Sequence, residues 1–176
     1  MFANLSRLPG AVVFDLDDTL WEGEVDCSGG PPFTQQGNSR DLVLCSDQRP
    51  IRLFRDVPKI FDTLIDLNVP IAYASRTWEP SWAIEALKKF TCGPELQLDM
   101  WTVCSFAEWG NHSKVSHIRT VAYGLKVPIE SMLFFDNEMR NLRDIAPLGA
   151  TCGFCPHGMT MEIFRTKMFE YSNKTP

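Results

Sequence analysis

No stretch of this 176-residue chain is apolar for long enough to cross a bilayer. Basic charge is not in excess either: 17 Lys and Arg stand against 22 Asp and Glu, for a net charge of −5. That balance leaves no electrostatic footprint for nucleic acid, so neither nucleic acid nor membrane is an expected partner. No internal repeat or low-complexity block is present. Met1 to Gly10 lacks a signal-peptide core, which makes the cytoplasm the default location. The six cysteines do not make a disulfide framework in a chain this long without a secretion signal, and reduced thiols are expected. Cys152-Gly153-Phe154-Cys155 has the spacing of a redox pair, but it spans a strand end instead of opening a helix, and Pro156 follows. A zinc site on Cys152, Cys155 and His157 lacks a second ligand pair. Structural use of these thiols is the expectation.

A hydrophobic content of 44% suits one compact domain over residues 1–176, taken as a monomer. The most informative stretch is Ala11-Val12-Val13-Phe14-Asp15-Leu16-Asp17-Asp18-Thr19-Leu20-Trp21. An apolar run that ends abruptly in carboxylates reads as a strand buried on both faces of a parallel sheet. Open parallel sheets bind ligands beyond the carboxyl ends of their strands. Clustered carboxylates repel one another and raise one another's pKa. A divalent cation relieves that conflict, and Mg²⁺ favours carboxylate oxygens together with water and phosphate.

Residues 22–49 have no helical period and hold Gly29-Gly30-Pro31-Pro32 and Gly37-Asn38-Ser39. Leu42–Leu44 and Ile51–Leu53 are short strand candidates around a polar turn, so residues 22–55 are predicted as a loop with a β-hairpin flap. Asp56 reads as the N-cap of a helix carrying Ile60, Phe61, Leu64, Ile65 and Leu67 on one face, ended by Asn68. Val69–Ala74 is the next buried strand, followed by a helix over Glu79–Phe90, a strand over Met100–Cys104 and a helix over Ser116–Tyr123 with Gly124 near its end. Ser131–Phe135 is a strand ending at Asp136. Glu138–Ile145 is a short helix stopped by Pro147 and Gly149, and Ala150–Phe154 is a last strand. Strands alternating with helices predict an α/β fold with a parallel sheet and right-handed crossovers.

Polar residues fall at or just past these strand ends: Asp15 with Asp17, Ser75, Lys114 and Asp136. Each has a task in phosphoryl transfer. Asp15 can attack phosphorus and form an aspartyl-phosphate. Asp17 can protonate the leaving alcohol and then activate water. Mg²⁺ would bridge Asp15, Asp136 and phosphate. Ser75 can donate to a phosphoryl oxygen, and Lys114 supplies a fixed cation. Singly, each has a plainer reading as a turn residue, a capping hydroxyl or a surface charge; the ordered set is what points to chemistry. Arg76 is placed equally well on substrate phosphate or against a surface acid. Trp21, Phe33 and Trp78 are candidates for an aromatic wall beside the site, although aromatics near a strand end more often belong to the core.

The segment Phe14-Asp15-Leu16-Asp17-Asp18-Thr19-Leu20 resembles the first motif of the haloacid dehalogenase (HAD) superfamily of phosphohydrolases, and most closely its magnesium-dependent phosphatases. Ser75, Lys114 and Asp136 match the second to fourth motifs in order and setting. The likeness also takes in Pro31-Pro32-Phe33, Ala74 to Thr77, Ser113 with His117, Arg140-Asn141, Gly149 to Cys152 and Gly158-Met159, which is nearly the whole chain. It implies a Rossmann-like core with a small flap and no large cap domain. It further implies Mg²⁺-dependent phosphatase activity, with the backbone carbonyl of Asp17 added to the metal shell. The substrate would be a phosphorylated small molecule or a phosphoprotein, of phosphotyrosine type or a phosphorylated sugar adduct. One departure is Asn137, where the superfamily usually has a second acid after Asp136; an amide there can still order a metal-bound water, with weaker Mg²⁺ binding. Two alternatives stay open: a non-enzymatic phospho-acceptor switch, disfavoured because Ser75 fills its mid-chain slot, and a binding module that has lost activity.

Overall fold

Ala11–Phe14 forms β1, the central strand of the structure, a computed structural model that describes residues 2, 5–93 and 98–174. The strands that follow are β2 (Thr34–Gln35), β3 (Leu42–Leu44) and β4 (Pro50–Arg52). Next come α1 (Val57–Asp66), β5 (Ile71–Ser75), α2 (Pro80–Leu87), β6 (Thr91–Cys92), β7 (Leu98–Asp99) and β8 (Cys104–Trp109). The last part contains α3 (Lys114–Leu125), β9 (Met132–Asp136), α4 (Met139–Ile145), β10 (Thr151–Phe154) and α5 (Met161–Asn173).

The main sheet has the order β10-β9-β1-β5-β8, and every neighbouring pair is parallel. From β1 the chain steps outward through β5 to β8, then returns to the other side of β1 for β9 and β10. The order therefore reverses beside β1, and a crevice opens past the carboxyl ends at such a switch point. This is the predicted α/β architecture, with β2-β3-β4 forming the small antiparallel flap.

Alternation along the strands fills two layers, as expected when both faces are buried. Val12, Phe14, Tyr73 and Phe135 point into the layer that holds α1 and α5. Phe14 is stacked between Phe61 and Phe135, with ring centroids 5.5 Å apart on each side. Ala11, Val13, Ala72 and Ala74 point to the opposite layer, where small side chains let α3 and α4 approach through Ile118, Val121, Leu142 and Ile145.

Several expectations need correction. The strand placed at Met100–Cys104 lies instead at Cys104–Trp109. The Asp99 carboxylate accepts from the Thr102 N–H and hydroxyl, at 2.7 and 2.8 Å, and turns that segment away from the sheet. Gly124 does lie near the end of α3, which runs to Leu125 and closes on the left-handed cap Lys126 (φ 57°). Gly124 is small because Phe106 of β8 packs on it: a Cβ there would come within 2.1 Å of the ring. Asn68 (φ 53°) does end α1, and its N–H bonds the Ile65 carbonyl at 3.0 Å. Asp56 precedes α1, but its side chain makes no bond to that helix. It accepts instead from the Met161 N–H, 2.9 Å away, and so caps α5, a helix outside the expectations.

Candidate active site

Asp15 and Lys114 line the crevice past β1, and Asp136 lies fully buried against Lys114. Asp15 directly follows β1, with its N–H still paired to the Phe135 carbonyl at 2.9 Å. Asp136 is the last residue of β9, and Lys114 is the first of α3, whose N-terminus is capped by the Ser113 hydroxyl. Lys114 Nζ lies 2.5 Å from Asp15 Oδ1 and 3.3 Å from Asp136 Oδ2, and it also donates to the Ala74 carbonyl. The lysine is almost fully buried, which an ammonium tolerates only when paired in this way.

Thr19 joins the β1 and β9 loops. Its hydroxyl donates to Asp15 Oδ2 at 3.1 Å and accepts the Asn137 N–H at 3.0 Å. The Leu16–Leu20 turn makes this reach possible: Leu20 N–H bonds the Leu16 carbonyl at 2.7 Å, with Asp18 in the left-handed region (φ 54°). Asp17 turns the other way. Its Oδ1 accepts from Trp21 Nε1 at 2.8 Å and the Val25 N–H at 2.9 Å. Burial pushes the Asp17 carboxyl up to about 7, although both hydrogen bonds pull it down. Burial, then the negative charge of Asp15, raises Asp136 against the opposing pull of Lys114 and Asn141.

Asn141 is a site residue to which the sequence motifs give no role. It is buried on α4, and its Nδ2 lies 2.9 Å from each Asp136 carboxylate oxygen and 2.9 Å from Glu138 Oε2. Its Oδ1 accepts from Arg76 Nη2 at 2.6 Å. Arg76 also donates to the His112 carbonyl at 3.2 Å and to Glu138 Oε2 at 3.3 Å. Its guanidinium thus bonds to the protein and also lines the crevice, a placement compatible with either alternative. Ser75 is fully buried at the end of β5, where its Oγ accepts from the Thr77 N–H at 3.1 Å and keeps its own proton to donate.

The aromatic wall does not form. Trp21 and Phe33 are in the core, with Trp21 stacked on Phe90 at 6.1 Å, and only Trp78 lines the crevice. Asp26, on the loop that leads into the flap, also lines it and accepts from the Trp78 N–H at 2.9 Å. Cys152 and Cys155 are free thiols that burial pushes up to about 11 and about 12, in line with structural use.

The crevice has a volume of about 260 Å³ and is lined by six acids against three cations. Among the described residues each of those cations is already paired with a carboxylate. Hard oxygen donors with excess negative charge suit Mg²⁺, and Asp15 and Asp136, with Asn137 beside them, are residues that could hold it. Such an arrangement can accept a phosphate beside the Asp15–Lys114 ion pair, on its crevice side.

Comparison with known proteins gives the same reading of fold and family. The acid phosphatase family model matches residues 7–174. Human magnesium-dependent phosphatase 1 is 35% identical over 160 residues, covering 90% of this chain and 84% of that protein. A HAD-like hydrolase superfamily protein of Schizosaccharomyces pombe is 30% identical, covering 82% of this chain and 84% of that protein. Among solved structures, the phosphatase-containing N-terminal part of a Bacteroides fragilis protein, complexed with Mg, superposes with a TM-score of 0.65 at 18% identity; the match covers 98% of this chain and 44% of that one. A HAD-superfamily hydrolase from Ehrlichia chaffeensis gives 0.61 at 12% identity, over 93% and 96% of the two chains. With sequence, crevice and relatives in agreement, the chain belongs to the acid phosphatase family of HAD-like hydrolases.

Proposed function

We propose that this protein is a Mg²⁺-dependent phosphomonoester hydrolase that transfers the phosphoryl group to Asp15. The observation that carries the reading is the meeting of Asp15, Lys114 and Asp136, from three separate elements, around one ammonium group at 2.5 and 3.3 Å. An Asp15 carboxylate oxygen attacks phosphorus, and the bond from phosphorus to the ester oxygen breaks. Asp17, held partly protonated near neutral pH by burial, gives its proton to the departing oxygen. It then takes a proton from water, whose oxygen attacks phosphorus; the bond to Asp15 breaks, and inorganic phosphate leaves.

Lys114 and the Ser75 hydroxyl fix the phosphoryl oxygens, and Thr19 keeps the Asp15 carboxylate from turning. Arg76 lines the crevice while donating to Asn141 and Glu138, and supports the site through them. Mg²⁺, when bound by Asp15, Asp136 and the Asp17 carbonyl, with Asn137 acting through a water, offsets the charge that a carboxylate nucleophile and a phosphate dianion bring together. The 35% identical human magnesium-dependent phosphatase 1 supports the choice of metal. Phosphotyrosine-type aryl phosphates and phosphorylated sugar adducts are the substrate types in view. Among the described residues, Trp78 is the one large aromatic side chain lining the crevice where a leaving group of either type would sit. Six free cysteines suit a reducing compartment, which favours the cytoplasm.

The test is hydrolysis of an aryl phosphate with and without Mg²⁺, together with acid trapping of phosphoprotein. Wild type should require the metal and carry label on Asp15, while Asp15→Asn should do neither. Full activity in Asp15→Asn ends the proposal.

A further inference from the structure

Among the described residues, Trp78 is the one large aromatic side chain that both lines the crevice and lies open to solvent, at 72% exposed. Its stem is rigid. The Trp78 N–H donates to Asp26 Oδ2 at 2.9 Å, the Thr77 hydroxyl donates to the same oxygen at 3.3 Å, and the Glu79 N–H returns to the Thr77 hydroxyl at 3.2 Å. Asp26 in turn follows Val25, whose N–H is held by the Asp17 carboxylate at 2.9 Å. Hydrogen bonds and the Val25–Asp26 peptide link thus tie the Trp78 backbone to the group that serves the departing oxygen, and place the side chain along the same crevice. Trp78 stands on the leaving-group side.

Among the described residues, the charge of the crevice that no ion pair offsets has one sign. Asp18, Glu24 and Asp26 line it without a cationic partner, while its cations are drawn off by carboxylates: Arg76 by Glu138 at 3.3 Å, Lys114 by Asp15 at 2.5 Å and Arg140 by Glu138 at 2.9 Å. An exposed indole face beside carboxylates attracts an organic cation through the ring quadrupole and the local field. It repels an anionic leaving group.

Resting on the phosphatase reading above, we propose that Trp78 is a specificity-determining residue that selects small phosphomonoesters whose leaving group carries an alkylammonium. A crevice of about 260 Å³ holds a phosphoryl group and a compact leaving group of this kind.

Phosphocholine and 3,3-dimethylbutyl phosphate test this directly, because they share shape and differ in charge. With Mg²⁺ present, kcat/KM of the wild type should favour phosphocholine by about tenfold or more, Trp78→Ala should bring the ratio to within about twofold of one, and Trp78→Phe should fall between. Calorimetric titration of both esters into Asp15→Asn gives the same comparison without turnover, and the cationic ester should bind more tightly. Equal kcat/KM for the two esters in the wild type, or a ratio that Trp78→Ala leaves unchanged, overturns the role of Trp78. Failure of the phosphatase reading looks different: no turnover of either ester or of an aryl phosphate, with calorimetry still able to separate the cationic from the neutral ester. Equal binding in that titration removes the inference whatever the turnover shows.

Discussion

Arg76 Nη2 donates to Asn141 Oδ1 across 2.6 Å, and Asn141 passes the constraint on to both oxygens of Asp136. The loop after β5 is thereby coupled to the carboxylate that ends β9. Partners that orient a metal-binding carboxylate govern affinity, by about 10–100-fold when removed. Asn141→Ala should raise the Mg²⁺ concentration for half-maximal activity within that range. Arg76→Ala should do so less, since Asn141 keeps its bonds to Asp136. Because the two act in series, the double variant should resemble Asn141→Ala. Magnesium titrations followed by activity and by calorimetry measure this. Additive losses would place Arg76 on a separate path, such as contact with substrate.

Lys114 offers a second test because it sits where positive charge is needed most. Its ammonium pairs with Asp15 and Asp136 in a buried position, so Lys114→Met leaves two buried carboxylates facing each other. Removing one partner of such a cluster costs about 3–5 kcal/mol. Bound Mg²⁺ restores part of the missing charge, so melting temperature should rise more with Mg²⁺ in Lys114→Met than in the wild type. Activity should fall by about 10²–10³ even at saturating metal, as for loss of a donor that stabilises the reacting group. Thermal melts at two Mg²⁺ concentrations and a kcat measurement decide both points. An identical metal response in the two proteins would show that Lys114 does not share the charge of the metal site.

The pH profile follows from Asp17. Burial holds its carboxyl at about 7. A general acid must be protonated to act, so phosphoryl transfer from an alkyl phosphate should fall as pH rises through that value. An aryl phosphate needs less protonation of its departing oxygen and should show a shallower alkaline limb. Asp17→Asn should abolish the limb for the alkyl ester along with most of its rate. Single-turnover rates between pH 5 and 9 separate this step from hydrolysis of the phosphoenzyme, where Asp17 acts as the base.

The parts read correctly from sequence are those buried on both faces. β1 and β9 are continuous apolar runs because helices cover them above and below, and each gives way to a carboxylate that pairs with Lys114. β8 was misplaced because it is an edge strand whose residues are only partly buried, so Ser105 and Glu108 dilute its pattern. α5 carries Phe164, Met168 and Tyr171 inward among charged residues, which hides its period in the same way. At the site, motif order identified Asp15, Lys114 and Asp136 as candidates. No local pattern could reveal that Arg76 reaches Asn141 across 65 residues, or that Asp26 holds Trp78 across 52. Such contacts arise from topology. The aromatic wall failed for a related reason: Trp21 and Phe33 are drawn into the core, where burying a large ring stabilises more than lining a wet crevice does.

Asp56 illustrates how one side chain can be read correctly in kind and wrongly in place. An acid before Pro58 and an apolar face looks like the cap of α1, yet its carboxylate receives the Met161 N–H at 2.9 Å, beyond a separation of 105 residues. That N–H belongs to the first turn of α5, which Thr160 also caps through the Ile163 N–H at 3.2 Å. Loss of a capping acceptor costs about 0.5–2 kcal/mol. Asp56→Ala should therefore destabilise the protein by about 1 kcal/mol. Amide exchange should quicken at Met161 and Glu162 and stay unchanged through α1. Because α5 packs Phe164 on Phe135 of β9, with ring centroids 6.1 Å apart, and not on the crevice, kcat should hold. Hydrogen exchange resolved by residue, read beside a denaturant melt, distinguishes the two helices; faster exchange confined to Val57–Phe61 would return the cap to α1.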